Sequence, residues 1–314
     1  MLGLRYKEDI RTLGMVCAYF GVTVVAWVWH PDSWALRAAL IGVCCFFAFF
    51  CAVITHNTIH VPVFHNRTAN KIFQYVISLC YGHPVSAFVP GHNLSHHTHT
   101  QTRKDVMRTT KARFRWNFLN QLFFAAILSK AILNADYSYA KAMKTERPRW
   151  YAQWLSEWIF FALIQIALFI LDPIKYLLYV FIAHNYAGWG IIGINYIQHD
   201  GTDQNHEYNH ARNFVGRLVN WWTFNNGYHS LHHDKPALHW SKLPEEHARL
   251  IAPHIHPNLD QKSLLVYLWK TYGWPGKRID YLGNPLVLPE EGPDELWIPG
   301  IADHPAHAST GAEV

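Results

Sequence analysis

Residues 12 to 31 contain no Asp, Glu, Lys or Arg, and neither do residues 38 to 66. Such stretches restrict a chain severely. About 20 apolar residues in helical form match the ~30 Å hydrocarbon core of a bilayer, where a helix satisfies its own backbone hydrogen bonds. Residues 13–29 and 38–55 are therefore expected to cross a membrane as two helices joined at Pro31-Asp32. Residues 154–171 and 176–197 form a second apolar pair, broken by Asp172-Pro173. Two further apolar runs look re-entrant or interfacial: residues 72–90, which contain Gly82, His83, Pro84 and Pro90, and the short run 116–129. The expected fold is an all-α membrane protein with four transmembrane helices in two hairpins and a helical cytoplasmic cap.

Basic residues set the orientation, because cytoplasmic loops are enriched in them. Three Lys or Arg precede the first span, thirteen lie between Arg67 and Arg149, and nine follow His199, while the two opposite turns hold only Arg37 and Lys175. Both termini and the cap, residues 56–153 and 198–302, are thus placed in the cytoplasm. A bacterial inner membrane or an endoplasmic reticulum fits equally. The first apolar run lacks a small-residue cleavage site and is soon followed by another, so it reads as a retained span rather than a signal peptide. Residues 1–302 read as one domain, and 303–314, small and polar, as a disordered tail.

Composition agrees with a membrane part bearing a polar cap: 14 Trp and 16 Tyr accompany only 16% charged residues, and the mean hydropathy is −0.04. The net charge of +5 suits anionic lipid headgroups, and the cations are not interleaved with base-stacking motifs that would suggest nucleic acid. Cys17, Cys44, Cys45, Cys51 and Cys80 lie in apolar stretches without metal-binding spacing and read as packing residues.

Histidine carries the chemistry. His56 and His60 end the second span at a spacing that puts both on one helix face. In His92-Asn-Leu-Ser-His96-His97 an α-helix would align His92 with His96 and turn His97 about 100° away. His229, His232 and His233 occupy positions i, i+3 and i+4, and His199 closes the fourth span, four residues after Asn195. Nine clustered imidazoles, all mapped to one side of the membrane, argue against coincidence. A closed zinc site needs four ligands and usually includes Cys, so nine His without Cys indicate two metal ions with open positions. Imidazole suits iron, and open positions suit O2.

The H-x3-H, H-x3-HH and H-x2-HH clusters resemble the three histidine boxes of integral-membrane fatty acid desaturases, in that family's order over residues 38 to about 245. The segment Asn195-Tyr-Ile-Gln-His199 is similar to the N-x3-H element of acyl-CoA desaturases. The resemblance implies two Fe ions held by His56, His60, His92, His96, His97, His199, His229, His232 and His233, with Asn195 reaching iron through water. It also implies no catalytic side chain beyond the metal centre. The implied reaction uses O2 and two electrons to remove hydrogens from adjacent methylenes of an acyl chain, leaving a cis double bond and water. The third box begins with His229 rather than Gln, and no heme-binding HPGG segment is present. The implied electron donor is accordingly a separate carrier of the cytochrome b5 or ferredoxin type. Asn195-Tyr-Ile-Gln-His199-Asp-Gly also resembles an element of membrane alkane hydroxylases. A di-iron hydroxylase or ketolase acting on an alkane, acyl chain or carotenoid therefore stands as the alternative.

Other residues have plainer readings. His65, His83, His184, His206, His210 and His239 are expected to be structural, and His99 a solvated or hydrogen-bonded polar residue. Asp200 is weighed as an orienting partner of His199 against the plainer reading of a solvated carboxylate. The basic segment Arg103, Lys104, Arg108, Lys111, Arg113 and Arg115 suits anionic lipid or a CoA phosphate. Trp221, Trp222, Phe224, Tyr228 and Trp240 suit an interfacial belt or a substrate tunnel.

Overall fold

The apolar runs do become helices, and their ends follow local chemistry. The first helix, Ile10–Trp29, stops where His30 turns left-handed, at φ 35°, ahead of Pro31. The second, Trp34–His60, carries the first histidine pair on its last turns. Pro148 opens the helix Pro148–Leu171, a position where its missing N–H costs nothing. Asp172 then breaks the chain, its carboxylate accepting the N–H groups of Ile174 and Lys175 at 3.1 and 3.0 Å. The computed structural model describes residues 3–276, 278–295, 297 and 298, so the expected tail 303–314 lies outside the described residues.

Among the described residues, five helices are long and apolar enough to cross a membrane: Lys7–Trp29, Trp34–His60, Asn117–Glu146, Pro148–Leu171 and Pro173–His199. Four correspond to the expected spans. The fifth differs from the expectation, because the run 116–129 continues for 30 residues, to Glu146. The reason is local: residues 130–146 are rich in helix-favouring Ala and Lys and contain neither Pro nor Gly. The run at 72–90 breaks as expected, the helix Arg67–Tyr81 ending in an 80° bend before the next helical segment.

The described residues form two compact units, 3–89 with 139–191, and 90–138 with 192–298. In the first, small residues let helices approach closely: Ala26, Cys44, Ala48, Cys51 and Ala52 are fully buried, whereas Cys17 is exposed. Apolar side chains such as Leu163, Ile166, Phe169 and Ile170 face outward, as lipid contact requires. Polar groups inside this unit are paired. Glu157, fully buried, accepts the Ser86 N–H at 2.9 Å and the Gln153 amide at 2.8 Å. His184 meets the Tyr19 hydroxyl at 2.9 Å and the Leu79 carbonyl at 2.8 Å. Gly82 sits at φ +91°, and a Cβ there would come within 2.3 Å of the His184 Cβ, so the bend admits only glycine.

The second unit is held by short elements and buried polar links. Strands Asn213–Phe214 and Asp260–Gln261 pair in parallel. Arg212 donates to the Ile197 and Asp200 carbonyls at 2.7 and 2.9 Å, closing the end of the helix Ile182–His199. Arg278 forms an ion pair with Asp200 at 2.5 Å and donates to the Ala112 and Thr109 carbonyls at 2.6 and 3.2 Å. Phe224 is fully buried against Trp240, ring centroids 5.3 Å apart, and so belongs to the core, while Trp221 is half exposed.

Candidate metal centre

The second histidine cluster lies on a π-helix, Pro90–His96, that passes into a short α-helical turn at His97. The wider turn changes which residues align. The α-helical expectation pairs His92 with His96, but the structure places His92 Nε2 3.1 Å from His97 Nε2 and sends His96 elsewhere. One inserted residue per turn is enough to redirect neighbouring side chains to different partners, and such turns recur at functional sites.

The third cluster is divided in the same way. It occupies the six-residue helix His229–Asp234, and its position depends on the loop before it. Asn213 accepts the Ser230 N–H at 2.9 Å, and the Ser230 hydroxyl donates to the Ala211 carbonyl at 3.0 Å. A Cβ on Gly227 would lie 2.2 Å from the Phe214 carbonyl oxygen, so glycine is required where the chain enters this helix. His229 and His233 then turn toward one group of imidazoles and His232 toward the other.

Two sets of ring nitrogens result within this unit. In the first, His96, His199, His229 and His233 bring ligand atoms within 4.8 Å of one another. His229 Nε2 and His233 Nε2 stand 2.9 and 3.1 Å from His199 Nε2. In the second, His92 and His232 each place Nε2 at 3.1 Å from His97 Nε2. Separations near 3 Å are those that metal–nitrogen bonds of about 2.1 Å impose at roughly right angles. His96 Nε2 is buried without a hydrogen-bond partner, an arrangement that is costly unless a cation accepts the lone pair. The donor set therefore fits a metal. His56 and His60 belong to the other unit, where their rings lie 5.4 Å apart.

Neighbouring groups orient the rings. Asp105 receives His96 Nδ1 at 2.9 Å, and both side chains are fully buried. Its other oxygen accepts the Met107 N–H at 2.7 Å, fixing the carboxylate in turn. Nothing in the sequence singled out Asp105, which stands nine residues from its partner across a turn. The carbonyl of His210, not Asp200, faces His199 Nδ1, at 3.3 Å. Asp200 is buried and engaged by Arg278 and by the Asn117 amide, so it is neither the orienting partner of His199 nor the solvated carboxylate weighed from the sequence. Asn195 is buried one turn before His199, and its Oδ1 has no hydrogen-bond partner. Burial pushes the His233 imidazole well below its ordinary pKa, and His97, His229, His199 and His96 push it further. It is held neutral, the form that binds metal.

Three of the histidines expected to be structural make contacts away from the two sets. His206 and His239 accept backbone N–H groups in turns, and His184 is tied to Tyr19 and Leu79.

Comparison with known proteins agrees with this geometry. The fatty acid desaturase family profile matches residues 32–260. The chain is 24% identical to sphingolipid delta(4)-desaturase DES1 of Drosophila melanogaster over 307 residues, covering 91% of this chain and 83% of that protein. Apolar helices of spanning length, two sets of largely buried imidazoles and a profile match across most of the chain make it a member of the fatty acid desaturase family.

Proposed function

We propose that the protein is an O2-dependent membrane di-iron oxidase that introduces a cis double bond into a fatty acyl chain. The observation that carries this reading is the division of seven imidazoles into two sets within one unit. In this reading one iron is held by His96, His199, His229 and His233, and the other by a set that includes His92, His97 and His232. His56 and His60 complete the ligands by the family's three-box pattern, and Asn195 acts through water. The iron pair supplies the O2-dependent hydrogen abstraction that no side chain can perform on an unactivated methylene. The chain's own part is to hold, orient and shield: Asp105 and the His210 carbonyl fix ring tautomers, and burial of His96, His199 and His229 keeps water away.

Membrane topology follows the same reading. Four helices cross, in two hairpins, with both ends of the chain and the histidines in the cytoplasm. The helix Asn117–Glu146, though long and apolar enough to cross, is assigned in this reading to the interface, because Lys130 and Asp136 interrupt its apolar run. Electrons arrive from a separate cytochrome b5 or ferredoxin-type carrier. The named relative extends the candidate substrates to sphingolipids.

The test is lipid mass spectrometry, with double-bond and hydroxyl positions resolved, on a host expressing the chain beside a His96→Ala/His97→Ala variant. New unsaturated chains from the intact protein alone are expected. New hydroxylated or ketonic products would transfer the protein to the hydroxylase and ketolase alternative. No new product, with iron and a donor confirmed present, would overturn the acyl-chain reading.

A further inference from the structure

The loop that follows the second histidine cluster forms one wall of a cleft of about 610 Å³. Five cations line it: Arg103, Arg108, Lys111, Arg113 and Lys130. The opposite wall is a late segment of the chain, Pro289 to Asp294, which brings Glu290, Glu291 and Asp294. The segment is bound like a ligand. The Asp294 carboxylate bridges Arg108 and Lys111, at 2.8 Å from the latter. Arg108 also donates to the Gly292 carbonyl at 3.0 Å, Arg113 to the Pro289 carbonyl at 2.6 Å, and the Glu295 N–H to the Arg103 carbonyl at 3.0 Å. Gly292 lies so close that a Cβ would come within 2.6 Å of the Arg103 guanidinium carbon.

Two features show that this strap does not exhaust the cleft. Five cations face three carboxylates, so the lining keeps a positive balance. Gln101, nine-tenths buried and also lining the cleft, has its amide Nε2 without a hydrogen-bond partner. Its Oε1 is occupied by Thr109. An unpaired buried donor beside clustered guanidinium and ammonium groups calls for an acceptor with more oxygens and more charge than one carboxylate. Phosphate has both, and arginine forks match it bidentately.

We propose that this cleft is a binding site for a phosphate-bearing ligand and that residues 289–295 are its built-in occupant, displaced when the ligand enters. The bound phosphate takes the place of the Asp294 carboxylate between Arg108 and Lys111 and accepts from Gln101. The strap's remaining contacts are backbone hydrogen bonds at a rim open to water, so its release exchanges them for contacts with solvent. The proposal is independent of the reaction performed at the histidine centre. Two sources share the chemistry, a lipid headgroup and a soluble phosphate compound.

The experiment uses the full chain in nanodiscs and reads hydrogen exchange of the peptide containing the Glu295 amide, alongside calorimetric binding of pyrophosphate. In neutral phosphatidylcholine discs, pyrophosphate should accelerate exchange at Glu295. If acceleration instead appears only when phosphatidate is built into the disc, the ligand is a lipid headgroup, and the proposal stands. Glu290→Gln/Glu291→Gln removes two exposed carboxylates without disturbing the fold and should tighten binding about two- to fivefold, the range of exposed charge pairs. Arg103→Gln/Lys130→Gln should weaken it by at least as much. No acceleration with either probe, or acceleration unchanged in both double variants, overturns the proposal.

Discussion

Asp105 and His96 form a fully buried pair, carboxylate oxygen to Nδ1 at 2.9 Å, that leaves His96 Nε2 directed away from any hydrogen-bond partner. A carboxylate on Nδ1 selects the tautomer whose Nε2 lone pair is free and raises its basicity. Asp105→Asn should therefore lower iron affinity about 10- to 100-fold while leaving the fold intact. Iron content per chain after equilibration with a chelator series is the measurement, and unchanged retention would remove Asp105 from the site.

The pH dependence can be signed from His233. Burial, then the neighbouring imidazoles, hold its pKa well below the ordinary value of about 6.5. A folded value below the unfolded one means that the unfolded chain takes up the proton first. Stability is then whole above about pH 6.5 and is lost as pH falls from there toward the folded value. For this ring the metal-free protein should lose about 1.4 kcal/mol per pH unit over that interval. Thermal unfolding of chelator-treated protein between pH 7.5 and 5 should show the decline, and His233→Gln should make it shallower.

Arg278 and Asp200 are both nearly inaccessible, and the same guanidinium satisfies two carbonyls of the loop carrying Asp105. Arg278→Met strands a buried carboxylate and two acceptors and should cost about 3–5 kcal/mol. Arg278→Met/Asp200→Asn should recover part of that loss, because the unpaired charge is gone. Equal midpoints for the single and double variants would show that the pair contributes through its shape rather than its charge.

Glu157 presents the analogous case inside an apolar helix. Glu157→Ala leaves the Ser86 N–H and the Gln153 amide without their acceptor and should cost about 2 kcal/mol or more. Glu157→Gln keeps one acceptor oxygen and should lose about half as much. Unfolding midpoints in one nanodisc preparation would rank the two.

The sequence by itself determined the helical membrane class, the ends of the helices at Pro31 and Asp172-Pro173, and the candidate status of all nine clustered histidines. These are short-range properties: apolar length, proline and capping chemistry act over a few residues and can be read along a line. Its four-span count rested on stopping the run 116–129 at Ser129, and the helix continues because nothing after Lys130 breaks it.

Only the tertiary structure decided how the histidines are shared. The α-helical spacing aligned His92 with His96, but the π-helix at Pro90–His96 gives His97 to His92 and His96 to His199, His229 and His233. Asp200 stands beside His199 in sequence yet faces Arg278, whereas Asp105, unremarkable in sequence, receives His96. A one-residue change in helical winding and the direction of a carboxylate both depend on which distant groups need a hydrogen-bond partner once water is excluded, and that is settled only when the whole chain has packed.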